Sequence, residues 1–186
     1  MVSIIIDNDI TLRSFATDDA EALFNKVNES RFHLSPWLDW INNTTKVEHS
    51  LKYIQDSLYE LEMQEALHLG VFLNNKIIGG IGMHNWDKKT KRAQIGYWIG
   101  KEYEGKGIIY KCLIRFIDFL FDKIGLNKIE IHFVPGNIRS VRVSERLGFK
   151  IEGIIRQSLQ RNGFIEDHVI TGLLKSEWQT IKHTIN

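Results

Sequence analysis

A glycine-rich tetrapeptide, Glu104-Gly105-Lys106-Gly107, carries the clearest chemical signal in the sequence. It lies between a predicted strand and the predicted start of a helix, where unpaired N–H groups and the positive end of the helix dipole converge. Glycine lets such a backbone approach a phosphate because no Cβ stands in the way. The pattern predicts a site for a pyrophosphate-bearing ligand, although a glycine loop before a helix can equally be a simple turn. It is neither GxxxxGKS/T nor GxGxxG, which disfavours nucleoside triphosphatases and Rossmann enzymes.

One imidazole and two indoles are further candidates for chemistry. His84 lies at the end of a predicted strand, and a neutral imidazole has a pKa suited to a base, although a histidine satisfied by a neighbouring strand fits equally well. Trp37 and Trp40 lie in the loop between the first two predicted helices, where they either cap the core or face a cleft. None of the seven histidines has another His or Cys at metal-ligand spacing, so no metal site is predicted.

The elements that must position these residues follow from hydrophobic period and turn chemistry. Thr17 is predicted to cap the first helix, and Thr45 with Glu48 forms a capping-box pattern for the second. Gly79, Gly80 and Gly82 indicate a bulge or a strand that is closely approached. Strands are predicted at 10–13, 68–73, 76–86, 92–99, 128–134, 151–160 and 164–174. Helices are predicted at 18–27, 45–64, about 109–120, 138–147 and near Trp178. Asn162-Gly163 is predicted to form a hairpin turn, and Gly148 is predicted to end a helix.

Length and composition place the chain among single-domain globular proteins. The 186 residues are predicted to form one domain, 1–186. Because 24 basic side chains balance 23 acidic ones, no direct nucleic-acid or membrane partner is expected. The start lacks the basic region and long apolar run of a secretory signal, and the single Cys112 cannot form an internal disulfide, so a cytoplasmic location is predicted.

The segment from Arg92 to Phe149 resembles the GCN5-related N-acetyltransferases, the GNAT family. The resemblance is carried by KRAQIGYWIGKEYEGKGII and HFVPGNIRSVRVSERLGFKIEG, which look most like the RimJ and RimL branch that acetylates ribosomal-protein N-termini. It implies an α/β (α+β) fold with a mixed, mostly antiparallel central sheet of about seven strands and four to five helices. It also implies that acetyl-CoA is the co-substrate and that no metal is needed.

The resemblance also implies a cofactor site. The family's Q/RxxGxG/A motif maps onto Glu104, Gly107 and Ile109, and its first and last positions depart from the consensus here. Backbone amides from Gly105 to Ile109 would hold the coenzyme A pyrophosphate, and 97–99 would pair with the pantetheine as an added strand. The implied cofactor-binding residues are Tyr97, Trp98, Ile99, Glu104, Gly105, Lys106, Gly107, Ile108, Ile109, Asn137 and Ser140.

The resemblance implies only part of the family's set of catalytic residues. Asn137 and Ser140 match the family's NxxS, so Asn137 would bind the pantetheine arm, and it is also a natural helix N-cap. Many relatives have a tyrosine seven residues later as general acid, but Ser144 stands there, which leaves Ser140 as the donor to the leaving thiolate. The family's glutamates are replaced by Leu159 and Gln94, two side chains that cannot accept a proton.

The missing carboxylates bear on the choice of acceptor. With reference pKa values near 7.8 and 10.4, the neutral fraction at pH 7 is roughly 300-fold larger for an α-amine than for lysine, about 3.5 kcal/mol. A weakly equipped site therefore suits a protein N-terminus, with His84 as the remaining base candidate. Trp37, Trp40 and Asp167 are the predicted substrate-binding residues, although Asp167 could simply order its loop.

Two other functions are compatible with the sequence. One is acetylation of a small amine such as a polyamine or an antibiotic. The other is an acyl-CoA binding sensor that has lost strong catalysis, which the replacements at Leu159 and Gln94 would explain. The sequence leaves a homodimer open and determines neither the acceptor nor the acyl-chain length.

Overall fold

An eight-stranded sheet forms the frame of the computed structural model, which describes residues 1–161 and 163–184. Its strands are β1 (Ser3–Ile5), β2 (Ile10–Ser14), β3 (Leu67–Leu73), β4 (Lys76–Asp87), β5 (Arg92–Ile99), β6 (Lys128–Phe133), β7 (Lys150–Arg161) and β8 (Phe164–Leu174). Their spatial order is β1-β2-β3-β4-β5-β6-β8-β7. The β5–β6 pair is parallel, whereas β1–β2, β2–β3, β3–β4, β6–β8 and β7–β8 are antiparallel. The predicted mixed, mostly antiparallel sheet is confirmed, with β1 as an additional strand too short and exposed to stand out in the sequence.

Seven α-helices accompany the sheet in the described part of the chain. They are α1 (Ala20–Glu29), α2 (Arg31–Leu34), α3 (Trp40–Asn43), α4 (Val47–Glu62), α5 (Ile108–Phe119), α6 (Ile138–Arg146) and α7 (Lys175–Ile181). Two of them, α2 and α3, are single turns within the stretch predicted as a loop, which explains the larger number. A five-residue π-helix, Leu120–Ile124, extends α5 and ends at Gly125 in the left-handed region.

The predicted cap of the first helix is wrong. Thr17 opens a short 3-10 turn, Thr17–Asp19, and α1 begins only after it. The carboxylate of Asp19 accepts a hydrogen bond from the Ala16 N–H at 2.8 Å and pairs with Arg13 at 2.7 Å. The charged carboxylate therefore satisfies the first free amide, and the Thr17 hydroxyl is not needed for it.

The predicted capping box of the second helix is also wrong. The helix α4 begins at Val47, two residues after Thr45, so the spacing to Glu48 no longer fits the pattern. The Thr45 N–H instead donates to Nδ1 of His49 at 3.2 Å. By contrast, Gly148 follows α6 with φ of +81°, as predicted for a helix stop.

The chain divides into two compact units, and the first contains Met1–Met83 and Tyr97–Leu113. Its core joins α1 and α4 to the sheet through Leu23, Val27, Ile54, Phe72 and Ile77. The predicted close approach to the glycines of β4 is made within this unit, by the main chain of Trp98 at Gly79 and by side chains at the other two. A Cβ on Gly80 would lie 2.6 Å from the indole nitrogen of Trp98, and one on Gly82 would lie 2.7 Å from the His68 ring.

The second unit contains His84–Gly96 and Ile114–Asn186. Its largest buried side chain is Trp178 of α7, whose indole N–H donates to the Asp118 carboxylate at 2.8 Å. The strands β7 and β8 form a long hairpin, and Asn162 of its predicted turn lies outside the described residues. No helix in the described ranges is long and apolar enough to cross a bilayer. That residues 1–186 form one domain stays a prediction.

Candidate functional site

The glycine loop has the backbone geometry that the sequence predicts for an anion site. Gly105 and Gly107 both have φ of +73°, and a Cβ built on either would meet nothing within 4 Å. The helix α5 begins directly afterwards, and the Lys111 N–H donates to the Gly107 carbonyl at 3.1 Å. The preceding amides therefore belong to the first turn, where helix geometry offers no intrahelical acceptor. Open space lies above both glycines.

Acidic residues beside this loop are paired with basic ones. Glu104 lies 3.2 Å from Nε2 of His33 and 3.2 Å from Nζ of Lys101. Glu102 lies 2.6 Å from Nζ of Lys26, and this hydrogen bond holds the pKa of the Glu102 carboxyl below its usual value. Because each carboxylate has a basic partner, the negative charge near the loop is partly offset.

The other loop residues divide into one exposed and two buried positions. Lys106 is exposed, and its Nζ lies 5.6 Å above the Tyr103 ring. Ile108 and Ile109 are buried. Ile109 replaces the last small residue of the family motif, and it directs its side chain into the core, so that the replacement adds no bulk to the exposed loop.

Trp40 and Trp98 form an edge-to-face pair. Their ring centroids are 6.1 Å apart with an interplanar angle of 65°, and Trp98 covers Gly80. Trp40 is 41% exposed, so it does not cap the core as one interpretation of the sequence held. Trp37 is half-buried. The pair presents an exposed aromatic edge on the first unit.

The strand β5 pairs with β6 over a short register. In the described part of the chain, the parallel pairing joins only Arg92–Gln94 to Lys128–Glu130. The three residues predicted to bind pantetheine, Tyr97–Ile99, lie beyond that register and are half-buried. Their pairing with pantetheine stays a prediction.

The start of α6 brings Asn137 and Ser140 together. Oδ1 of Asn137 accepts a hydrogen bond from the Ser140 N–H at 3.2 Å, which confirms Asn137 as the N-cap. The Asn137 N–H donates to the Val134 carbonyl at 2.9 Å, so the connection from β6 is tight. Ser144 is buried, and its hydroxyl donates to the Val141 carbonyl at 2.8 Å.

His84 and Asp167 have different surroundings. His84 is half-buried on β4 beside Gly96, and a Cβ on that glycine would lie 3.5 Å from Cε1 of the ring. Asp167 of β8 accepts a hydrogen bond from the Gln157 N–H at 2.9 Å. Gln157 has φ of +50° and lies in the irregular part of β7 between Ile155 and Leu159. Asp167 therefore orders this bulge, and its role with substrate stays a prediction.

A buried carboxylate that the sequence reasoning missed lies on β6. Glu130 is only 3% exposed and has three basic partners: Nζ of Lys128 at 3.0 Å, Nε2 of His132 at 3.0 Å and a guanidinium nitrogen of Arg92 at 3.3 Å. Burial acts to raise the pKa of the Glu130 carboxyl, but hydrogen bonds from Lys128 and His132, together with the positive charges of Lys128 and Arg92, hold the pKa below its usual value. The alternating KIEIHF segment was the available signal for it.

His132 connects this carboxylate to two neighbouring strands. Nε2 of the Gln94 amide lies 3.1 Å from Nδ1 of His132, and Oε1 of Gln94 accepts a hydrogen bond from Asn85 at 2.8 Å. The ring of His168 stands nearly perpendicular to that of His132, with centroids 5.0 Å apart. Burial, with the neighbouring His132, lowers the pKa of His168. No cluster resembling a metal site occurs among the residues that the structure describes.

Comparison with known proteins assigns the family. Residues 9–150 match the Acetyltransferase (GNAT) domain family, which is well over half of the chain. The chain belongs to the GNAT family. The resemblance and the enzyme class predicted from the sequence are thereby confirmed: the protein is a GNAT acetyltransferase.

Three similar proteins illustrate the range of the family. YdaF of Bacillus subtilis, itself assigned only provisionally as a ribosomal N-acetyltransferase, is 34% identical over 175 residues, 94% of this chain and 96% of its own length. The ribosomal protein uS5-alanine N-acetyltransferase of Escherichia coli is 28% identical over 86% of this chain and 84% of its own. The microcin C7 self-immunity acetyltransferase MccE, solved in complex with acetyl-CoA and AMP, is 26% identical, covers 91% of this chain and 94% of its own, and has a TM-score of 0.86.

The departures of this GNAT protein from the family pattern have local explanations. Ser144 stands where many relatives have a tyrosine, and its hydroxyl is engaged in a hydrogen bond to the Val141 carbonyl. Leu159 pairs across the hairpin with Glu166, which forms an ion pair with Arg161. Gln94, at the place of a family glutamate, contacts His132. The position of the replaced glutamate is therefore contacted by the Asn85 amide and by the His132 imidazole.

Proposed function

We propose that this protein transfers the acetyl group of acetyl-CoA to the N-terminal α-amine of a ribosomal or another protein. The observation that carries the proposal is the glycine loop before α5. Both of its glycines have left-handed φ angles with open space above them, at the first turn of a helix. A pyrophosphate is the group that such a turn suits, and coenzyme A carries one.

Acetyl-CoA would be held mainly by backbone groups. The amides of Gly105 to Ile109 would receive the pyrophosphate, with Glu104 completing the loop and Lys106 and Ile108 within it. Tyr97, Trp98 and Ile99 would pair with the pantetheine amides, because they lie beyond the register in which β5 pairs with β6. Asn137 would bind the pantetheine arm while its Oδ1 caps α6. The solved complex of MccE with acetyl-CoA supports this choice of co-substrate.

The acceptor is proposed from chemistry and from the named relatives. An α-amine needs less help to lose its proton than lysine does, by about 3.5 kcal/mol at pH 7. The Escherichia coli relative is named as an alanine N-acetyltransferase of ribosomal protein uS5. Trp40, with its exposed edge, and the half-buried Trp37 would contact the first residues of the acceptor. Asp167 would act indirectly, through the bulge that it orders.

The reaction needs one group to accept a proton and one to donate. Ser140 would donate to the leaving thiolate from the first turn of α6. His84, half-buried on β4, is the base that the sequence predicts. Neither role requires a metal ion.

Two measurements on the purified chain test the function. Isothermal titration with acetyl-CoA should show binding, and free thiol should then appear when a peptide with an unblocked N-terminal serine or alanine is added. The matched control is the same peptide with a blocked N-terminus and one internal lysine. Faster thiol release from the blocked peptide, from spermidine or from an aminoglycoside contradicts the proposed acceptor. Tight binding of acetyl-CoA with no thiol release on any amine would indicate an acyl-CoA binding sensor.

A further inference from the structure

A strip of polar side chains crosses β5, β6 and β8 within the second unit. On β6, Ile129, Ile131 and Phe133 are buried, so the alternate residues face the other side of the sheet. We call that side the polar face, and the function proposed above gives its residues no role. Its members are Arg92, Gln94, Lys128, Glu130, His132 and His168.

Glu130 determines which nitrogen of His132 carries a proton. Nε2 of the ring lies 3.0 Å from Oε2 of Glu130. Because the pKa of that carboxyl is held below its usual value, the group is ionised near neutral pH and can only accept. Nε2 must therefore be the donor, and the lone pair of the neutral ring lies on Nδ1.

The Gln94 amide braces the ring without using that lone pair. Its nitrogen is nearly equidistant from the two ring nitrogens, at 3.1 Å from Nδ1 and 3.4 Å from Nε2. An atom in the ring plane at such distances would overlap Cε1, so the amide lies over the ring face. Asn85 holds the other end of the amide at 2.8 Å. The imidazole is thus oriented, and the in-plane direction of Nδ1 is not the one that Gln94 occupies.

His132 also lies at a functional position in the chain. The parallel pairing of β5 with β6 ends at Gln94 and Glu130, two residues before it. Five residues after it comes Asn137, reached through a tight turn in which the Asn137 N–H donates to the Val134 carbonyl. The strand that carries His132 therefore leads directly into the residues proposed for the thioester.

We infer that His132, in place of His84, is the general base of the acetyl transfer and that Glu130 is a positioning residue that acts through it. This inference rests on the proposed function. Nδ1 of His132 takes one proton from the ammonium form of the acceptor, whose nitrogen then bonds to the thioester carbonyl carbon. The second amine proton is lost as the C–S bond breaks, and the thiolate receives a proton through Ser140. The products are the amide, the coenzyme A thiol and one proton, which His132 returns to solvent.

Three groups of the polar face surround the His132 ring. Glu130 contributes a negative charge, and its own partners, Arg92 and Lys128, partly offset that charge. His168 faces the ring from β8, and its lowered pKa makes it neutral near pH 7. Gln94 contributes no charge. Removing the Glu130 carboxylate would take away the acceptor that fixes the ring proton on Nε2.

The test measures kcat as a function of pH for the wild type and four variants, using acetyl-CoA and the peptide with a free N-terminal serine. His132→Gln should lower kcat about 100-fold near pH 7, since a general base contributes roughly 100-fold to 10,000-fold. Its acidic limb should disappear, with a smaller deficit near pH 9, where the amine loses its proton unaided. Glu130→Gln should lower kcat about 10-fold but retain the acidic limb, because the imidazole is still present while its proton is no longer fixed on Nε2. His183→Gln, an exposed histidine beyond α7, is the matched control and should leave the profile unchanged.

The fourth variant, His84→Gln, and an NMR spectrum of the wild type distinguish the possible outcomes. If His84→Gln removes the acidic limb while His132→Gln retains it, His84 is the base and the inference is wrong. Long-range ¹⁵N–¹H spectra of the wild type should show His132 with its proton on Nε2, and a proton on Nδ1 instead would overturn the assignment even if a variant failed to fold. A wild type that releases no thiol refutes the proposed function itself. An active wild type with an equally active His132→Gln variant refutes only the base.

Discussion

Replacing Gly107 by alanine would test whether the glycine loop exists for the backbone turn alone or for a ligand. The residue has φ of +73°, and its missing Cβ would meet nothing in the protein. Alanine in this region costs about 1–2 kcal/mol of backbone strain. At roughly 2–4 °C per kcal/mol for a chain of this length, the melting temperature should fall by about 2–8 °C. Gly125→Ala is the matched control, because Gly125 has φ of +80° and equally open surroundings at the end of the π-helix.

The two variants should differ in their affinity for coenzyme A. A Cβ on Gly107 would occupy the space proposed for a phosphate and displace at least one hydrogen bond from a backbone amide. Hydrogen bonds to charged groups contribute about 1.5–3 kcal/mol, which corresponds to a Kd roughly 10-fold to 150-fold weaker. Gly125→Ala should change the Kd by less than about twofold, because its strain is the same but no ligand is proposed there.

The assay is isothermal titration with coenzyme A, together with thermal unfolding of each variant without ligand. Similar losses of stability in both variants, with weakened binding only in Gly107→Ala, would support the phosphate loop. If Gly107→Ala binds coenzyme A as the wild type does while showing the expected loss of stability, the loop is a turn and the reasoning from its geometry is wrong.

Two further predictions concern the acceptor and the buried carboxylate. Trp40→Ala should raise the KM for the acceptor peptide about 10-fold through loss of an aromatic contact, with the Kd for coenzyme A unchanged. The control is Phe32→Ala, because Phe32 is 95% exposed in the preceding helix. Equal KM values for the two variants would contradict a role for Trp40. Because the pKa of Glu130 in the folded protein lies below its usual 4.5, its contribution to stability is complete above that value and is lost as the pH falls through the folded-state pKa. Urea unfolding should therefore show the wild type losing more stability than Glu130→Gln between about pH 5 and about pH 3, and parallel curves would refute this.

Local features of the chain were predicted well because they depend on neighbouring residues. The core face of α5, with Cys112, Leu113, Phe116 and Ile117 buried, follows from helical spacing alone. The cap at Asn137 likewise depends on a side chain and an amide three residues apart. The caps proposed at Thr17 and Thr45 failed because a competing local partner, a carboxylate or an imidazole, bonded the same stretch of backbone.

The polar face could not be predicted in the same way. Gln94 and His132 are 38 residues apart in the chain, and only the parallel register of β5 with β6 brings them to 3.1 Å. A shift of that register by one residue would turn His132 to the opposite side of the sheet relative to Gln94. The sequence showed that Gln94 replaces a family glutamate, but it did not show which imidazole lies beside it.

The amino-acid sequence alone determined the family, the glycine loop and the helix that follows it, because these depend on motifs and periodicities within short stretches. The tertiary structure decided the rest: that Trp40 is exposed rather than part of the core, that Asp167 orders a bulge, and that Glu130 and His132 form a pair beside Gln94. The physical reason is that strand pairing and packing, which join residues far apart in the chain, determine burial and hydrogen-bond partners.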